Sequence, residues 1–189
     1  MSLLILGLIL FLGIHSISIF AEPLRDKLAQ KSELGWKGIY SLISLAGIYF
    51  IAVGYGNARL EPVLLYTTPY WLRHVSSLFM LIALILFFAP YFPGKIQQTL
   101  KHPQLVSVKI WAVSHLLVNG MLADVVLFGA FLVWAVVDRI SMKKRQQRAL
   151  PGLKASGKND VITIVLGVVT TVAFVFFLHA ALIGMPLKS

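Results

Sequence analysis

Two histidines in this sequence stand where an imidazole needs a reason to be. His15 lies deep in the apolar run SLLILGLILFLGIHSISIFA. His115 lies in LVSVKIWAVSHLLVNG, where Lys109, Ser114 and Asn119 are the other polar interruptions. A polar group in hydrocarbon costs free energy unless something partners it. Such an imidazole either hydrogen-bonds a neighbouring helix or ligates a metal through a ring nitrogen. The remaining histidines are His102 in Lys101-His102-Pro103-Gln104, His74 beside Arg73, and His179 near the end of the last apolar run.

Composition narrows the chemistry open to them. Of 189 residues 58% are hydrophobic, above the roughly 45–50% of soluble domains, so the chain reads as an integral membrane protein. It has no cysteine, which excludes disulfides, thiolate-ligated metals, iron–sulfur clusters and covalently attached haem. A cofactor must be held by histidine, carboxylate or packing. The formal charge of +10 is placed in loops with no basic soluble domain, and so predicts contact with anionic membrane lipid rather than with nucleic acid. Paired carboxylates, a nucleophile triad, a phosphate-cradling glycine loop and zinc spacing are all missing from the sequence.

The apolar runs that position the histidines predict an all-α integral membrane helical bundle, a single domain over residues 1–189 with about six transmembrane helices. The first span is Ser2 to Ala21, expected to be retained because no basic stretch precedes it. Glu22-Pro23 ends it, and a polar loop with a possible short amphipathic helix runs to Gly38. The second span is Ile39 to Gly54, followed by a connector with prolines and interfacial aromatics. The third is Trp71 to Phe88, stopped by Pro90-Tyr91-Phe92-Pro93-Gly94. Leu105 to Leu117 and Met121 to Ile140, joined by a turn at Asn119-Gly120, read as a helical hairpin. After the basic loop Ser141 to Asp160, Asn159 or Asp160 is expected to cap a last span from Val161 to about Leu182.

With this layout, all 17 Lys and Arg residues except Arg59, Arg73 and Lys188 fall on one side. The positive-inside rule makes that side cytoplasmic and puts both termini outside. His15 then lies roughly 9 Å in from the cytoplasmic boundary at Ala21, and His115 lies roughly 9 Å in from Lys109, whose amine can snorkel to the same boundary. Two imidazoles on separate helices at equal depth in a cysteine-free bundle are what bis-histidine ligation of haem b requires. Ala112, one turn from His115, leaves room for a porphyrin, and Trp111 is placed to pack on the ring. Lys109 and Arg139 are available to propionates at the cytoplasmic side. The alternative is that each histidine only hydrogen-bonds a neighbouring helix.

The segments Gly13-Ile14-His15-Ser16, Arg73-His74, Lys101-His102-Pro103-Gln104, Trp111-Ala112-Val113-Ser114-His115 and Asp138-Arg139 resemble those of the NnrU family over about residues 5–145. NnrU proteins are bacterial inner-membrane proteins named for genes beside nitrite and nitric oxide reduction, and are related to the plant and cyanobacterial 15-cis-ζ-carotene isomerase. That isomerase carries haem b between a histidine of an Ile-His-Ser segment and one ending a Trp-x-x-x-His segment. The resemblance therefore implies His15 and His115 as axial ligands. The isomerase also has a cysteine three residues before its second histidine, and this chain has Ala112 there. The resemblance thus implies a haem protein of redox or nitric oxide related role ahead of a haem-dependent cis-trans isomerase acting on a polyene.

Other residues carry weaker signals. Lys101-His102-Pro103 is similar to the Arg-His-Pro segment of membrane methyltransferases, against the plainer reading of a loop histidine at a helix start. An assembly factor for respiratory complexes, with haem structural or absent, is a further alternative. His74 and His179 are both expected near the outer face, where a second haem or local hydrogen bonds would occupy them. Asp138-Arg139 reads either as a cofactor or substrate contact or as a neighbouring ion pair anchoring its helix. Asp124 is expected to satisfy a span end or Arg73, and Gly47 and Gly54 to let helices pack closely.

Overall fold

The computed structural model describes residues 1–145, 152–184 and 187. Those residues form eight helices and no strand, so the fold is all-α. Arg148 and Lys188, which enter the charge asymmetry, lie outside the described residues.

The helix ends follow local chemistry. Helix α1 (Ser2–Phe20) stops because Pro23, with no N–H to donate, is tolerated only in a first helical turn, and there it opens α2 (Glu22–Lys31). This is the short helix expected in the first polar loop, with Glu22 in its first turn and Lys31 in its last, as the helix dipole favours. Ser32 then caps α3 (Glu33–Ala58), its Oγ accepting from the Gly35 N–H at 3.0 Å. That cap starts α3 before Ile39, and Gly35 and Gly38 lie inside the helix instead of delaying it. The remaining helices are α4 (Leu72–Phe88), α5 (Lys95–Leu100), α6 (Pro103–Leu116), α7 (Leu122–Ser141) and α8 (Asn159–Ile183), the last with a π-helical turn at Phe174–Leu178.

Helices α1, α3 and α8 are each long and apolar enough to cross a bilayer, and the chain is a membrane protein. The other helices expected to span are α4, apolar with 17 residues, α6 with 14, and α7 with 20 residues that include Asp124, Asp138 and Arg139.

The chain divides into two compact units. The first comprises Met1–Thr68 and Asn119–Arg145, and so holds α1, α2, α3 and α7. Its axis is the contact of α1 with α3, where Gly7, Gly47 and Gly54 bring the two backbones together. A Cβ at Gly54 would overlap the Leu3–Leu4 backbone, and one at Gly47 the backbone of Phe11. At one end of this unit the connector is pinned to the Asn119–Gly120 turn. Leu65 N–H and Tyr66 N–H donate to Gly120 O, Leu122 N–H donates to Val63 O, and the Tyr66 hydroxyl donates to Asn119 O at 2.9 Å. Burial, with the charge of Asp124, pushes the Tyr66 phenol above its ordinary range and so keeps it a donor. Asp124 itself accepts from the Tyr55 hydroxyl at 2.5 Å and from Met121 N–H at 3.0 Å, closing the start of α7.

The second unit comprises Pro69–Val118 and the described chain beyond Arg145, and holds α4, α5, α6 and α8. Serines fasten α4 to α6. Ser76 and Ser114 lie 2.7 Å apart, Ser114 donates to Ser76 O, and Ser107 donates to Ala83 O at 2.6 Å. Gly167 lets α8 approach Ile85 of α4. The Asp160 carboxylate does not cap its own helix. It accepts from Lys95 N–H and Ile96 N–H and so caps α5, while Asn159 donates to Pro93 O and Lys154 O. This corrects the expected cap of the last span: the residue at its N-cap is Lys158, with no side-chain capping bond.

Candidate functional site

His15 is held by its own helix. Its Nδ1 lies 2.6 Å from Phe11 O, one turn back, and the Phe11 ring lies 4.2 Å from the imidazole. A carbonyl oxygen can only accept, so Nδ1 carries the proton and the lone pair is on Nε2. Tyr40 of α3 and Trp134 of α7 complete an aromatic surround, with centroids 5.0 and 6.0 Å from His15, the indole edge-on at 88°. Phe131 packs on Phe11 at 5.6 Å, and Trp36 on Tyr40 at 6.0 Å.

A charged pair follows Trp134, Asp138 one turn further along α7 and Arg145 just past the helix end. Asp138 Oδ1 accepts from Arg145 Nη2 at 2.5 Å, and each side chain is only 10% exposed. Ser141 donates to Asp138 O at 3.0 Å. The carboxylate thus pairs with Arg145 and not, as adjacency suggests, with Arg139, which is half-buried. Two N–H donors of this face are buried without a hydrogen-bond partner, Trp134 Nε1 and Arg145 Nε.

In the second unit His115 repeats the first arrangement. Its Nδ1 lies 2.9 Å from Trp111 O, again one turn back, and the indole packs 5.3 Å from the imidazole. The same tautomer follows, with the lone pair on Nε2. Ala112 and Ser114, on either side of the histidine's face, are fully buried. Lys109 is half-buried on the same helix.

The secondary histidines sit in less specialised places. His102 is the N-cap residue of α6 and has no side-chain cap bond, while Pro103 takes the first helical position. Lys101 before it has φ 60°, and His102 N–H donates to Leu100 O at 2.7 Å, so a γ-turn of the rarer hand sets the start of α6. His74 is exposed in the first turn of α4, 6.0 Å from Tyr70, whose ring also carries Arg73 at 5.1 Å. His179 is half-buried directly after the π-helical turn.

Among the described residues no three His, Asp or Glu side chains gather to hold a bare metal ion. A haem asks for less, one neutral imidazole on each face of the iron, with Nε2 unprotonated and the ring fixed by a bond at Nδ1. His15 and His115 each have the ring bond at Nδ1 that such a ligand requires. Phe11, Trp134 and Arg145 were not singled out by sequence. Phe11 had a legible signal, since an aromatic residue four before the histidine occurs on both helices.

The chain belongs to the NnrU family: the family model described as NnrU protein matches residues 3–187. The match runs past Arg145 through α8, beyond the stretch that carries the motifs. No curated protein and no solved structure matches the chain.

Proposed function

Starting from NnrU membership, we propose that this protein binds haem b through His15 and His115 and serves a redox or nitric oxide related role in a bacterial inner membrane. The observation that carries the reading is the repeated lock: each imidazole gives its Nδ1 proton to the carbonyl one turn back, beneath an aromatic ring from the same residue. A lock of this kind fixes the tautomer and limits rotation, as an axial ligand needs. When bound, haem supplies one-electron redox chemistry and, with an axial position open, a site for a diatomic gas. The chain's own part is to present two neutral imidazoles, exclude water with Phe11, Tyr40, Trp111 and Trp134, and place cations at the cytoplasmic end.

The topology proposed with this reading has six spans, with both termini outside and the basic loops cytoplasmic, on the distribution of Lys and Arg. The polyene isomerase reading stands second, because Ala112 is a fully buried methyl where the isomerase has a thiol.

The visible spectrum of the purified protein tests the proposal. A sharp Soret band with resolved α and β bands on reduction is expected, and His15→Ala and His115→Ala are each expected to lower haem occupancy at least tenfold. A colourless protein from cells supplied with ample haem overturns it.

A further inference from the structure

The face of α7 that passes His15 carries more than the haem reading uses. Trp134, Asp138, Ser141 and Arg145 follow one another at spacings of four, three and four, so they form one stripe on that helix and its last turn. Arg145 N–H still bonds Ser141 O at 3.1 Å, which continues the winding. Within this stripe Asp138 is satisfied by Arg145 Nη2, while Arg145 Nε and Trp134 Nε1 are buried N–H groups with nothing to donate to. A buried donor left unmade loses its hydration without return, and two such donors on one stripe of the helix point to an acceptor that the described residues do not supply. Asp138 balances the guanidinium charge and holds it at Nη2, while Nε has no bond to the carboxylate. The indole that bears the other donor stands edge-on to His15.

We propose that Trp134 Nε1 and Arg145 Nε receive a carboxylate of the porphyrin held at His15, with Asp138 as the residue that positions the guanidinium. The proposal rests on the haem reading and assigns to Arg145 and Trp134 the task that sequence alone offers to Lys109 and Arg139. The carboxylate is an anionic acceptor with several lone pairs, and it matches two N–H donors better than the single oxygen of a hydroxyl or ketone does.

The test compares haem b with haem b dimethyl ester, whose carboxylates are capped, in the full-length protein. The rate of haem loss to excess apomyoglobin and the midpoint potential are read for wild type, Trp134→Phe and Arg145→Lys. Phenylalanine keeps the ring and deletes the N–H; lysine keeps the charge opposite Asp138 and deletes Nε. With haem b, each variant is expected to lose the cofactor about tenfold faster than wild type and to shift the potential. With the dimethyl ester, wild type and variants are expected to behave alike. Equal rates with haem b, or the same acceleration with both haems, overturn the proposal while leaving haem binding intact. A wild type that takes up neither haem overturns the haem reading and this assignment with it. Trp134→Phe decides the matter alone if the lysine variant does not fold.

Discussion

His15 and His115 are locked by the same local device, yet the regions around them are built differently. His15 sits among aromatic rings from three helices, next to a buried ion pair with donors to spare. His115 sits on a helix stapled by serine hydroxyls whose bonds are all made, with Ala112 and Ser114 packed to zero exposure. One region has buried N–H donors beside the histidine's aromatic surround that meet no partner; in the other the serine hydroxyls next to the histidine have made their bonds. If haem is bound as proposed, the first unit has buried donors left to meet it, while the second holds its imidazole on a helix stapled by serines.

The largest effect that tests this contrast comes from the ion pair. Asp138→Leu strands a guanidinium in a buried site and is expected to destabilise the protein by about 3–5 kcal/mol, measured by circular dichroism during unfolding in mixed micelles. Asp138→Leu with Arg145→Leu is expected to recover most of that loss. If the double variant is as unstable as the single, the pair is more than a matched burial. Next is the packing axis of the first unit, where Gly54→Val forces a side chain into the Leu3–Leu4 backbone. A loss of about 1–3 kcal/mol is expected in the same assay, and an unchanged midpoint would remove the close approach as a stabilising element.

The serine staple is expected to yield less. Ser76→Ala and Ser114→Ala should each cost about 0.5–2 kcal/mol and leave the tryptophan fluorescence of the His15 region unaltered; a change there would break the contrast between the regions. The smallest effects belong to the stacked rings. Phe11→Leu and Trp111→Leu keep the backbone carbonyl that holds each Nδ1, so a loss of about 0.5–1.5 kcal/mol is expected, with imidazole tautomers by nitrogen-15 NMR unaltered. A switch of tautomer in either variant would show that the ring, and not the carbonyl, sets the lock.

What the sequence made legible was local. The apolar runs, the stop at Pro23, the turn at Asn119-Gly120 and the glycine contacts of α3 each depend on neighbours within a turn or on a composition that needs no partner. The histidine locks were of the same kind, since residues four apart on a helix always meet. What escaped was one pairing set by chain reversal and two choices between local partners. Asp160 caps α5 because the loop before α8 returns to Pro93 and Gly94, a closure that no spacing in the sequence records. Asp138 chose Arg145 over Arg139 because adjacent residues on a helix point apart, whereas the last turn brings position 145 back over position 138. The early start of α3 escaped because Gly35 and Gly38 suggest a loop by composition, while the single bond from Ser32 suffices to nucleate a helix through them.

The π-helical turn at Phe174–Leu178 has a consequence for the C-terminal end of α8. Wider winding absorbs one residue more than an α-helical path of the same length holds, so the segment that follows is rotated by about 100° from where regular winding would leave it. His179 and Leu182 therefore present themselves in directions set by a register slip rather than by the stripe that begins at Val161. Excising one residue from Phe174–Leu178 would let the helix rewind regularly and turn His179 toward a different azimuth while changing its depth by no more than a residue's rise. The orientation of that histidine is thus an independently adjustable coordinate of the fold, governed by a length rather than by a side chain.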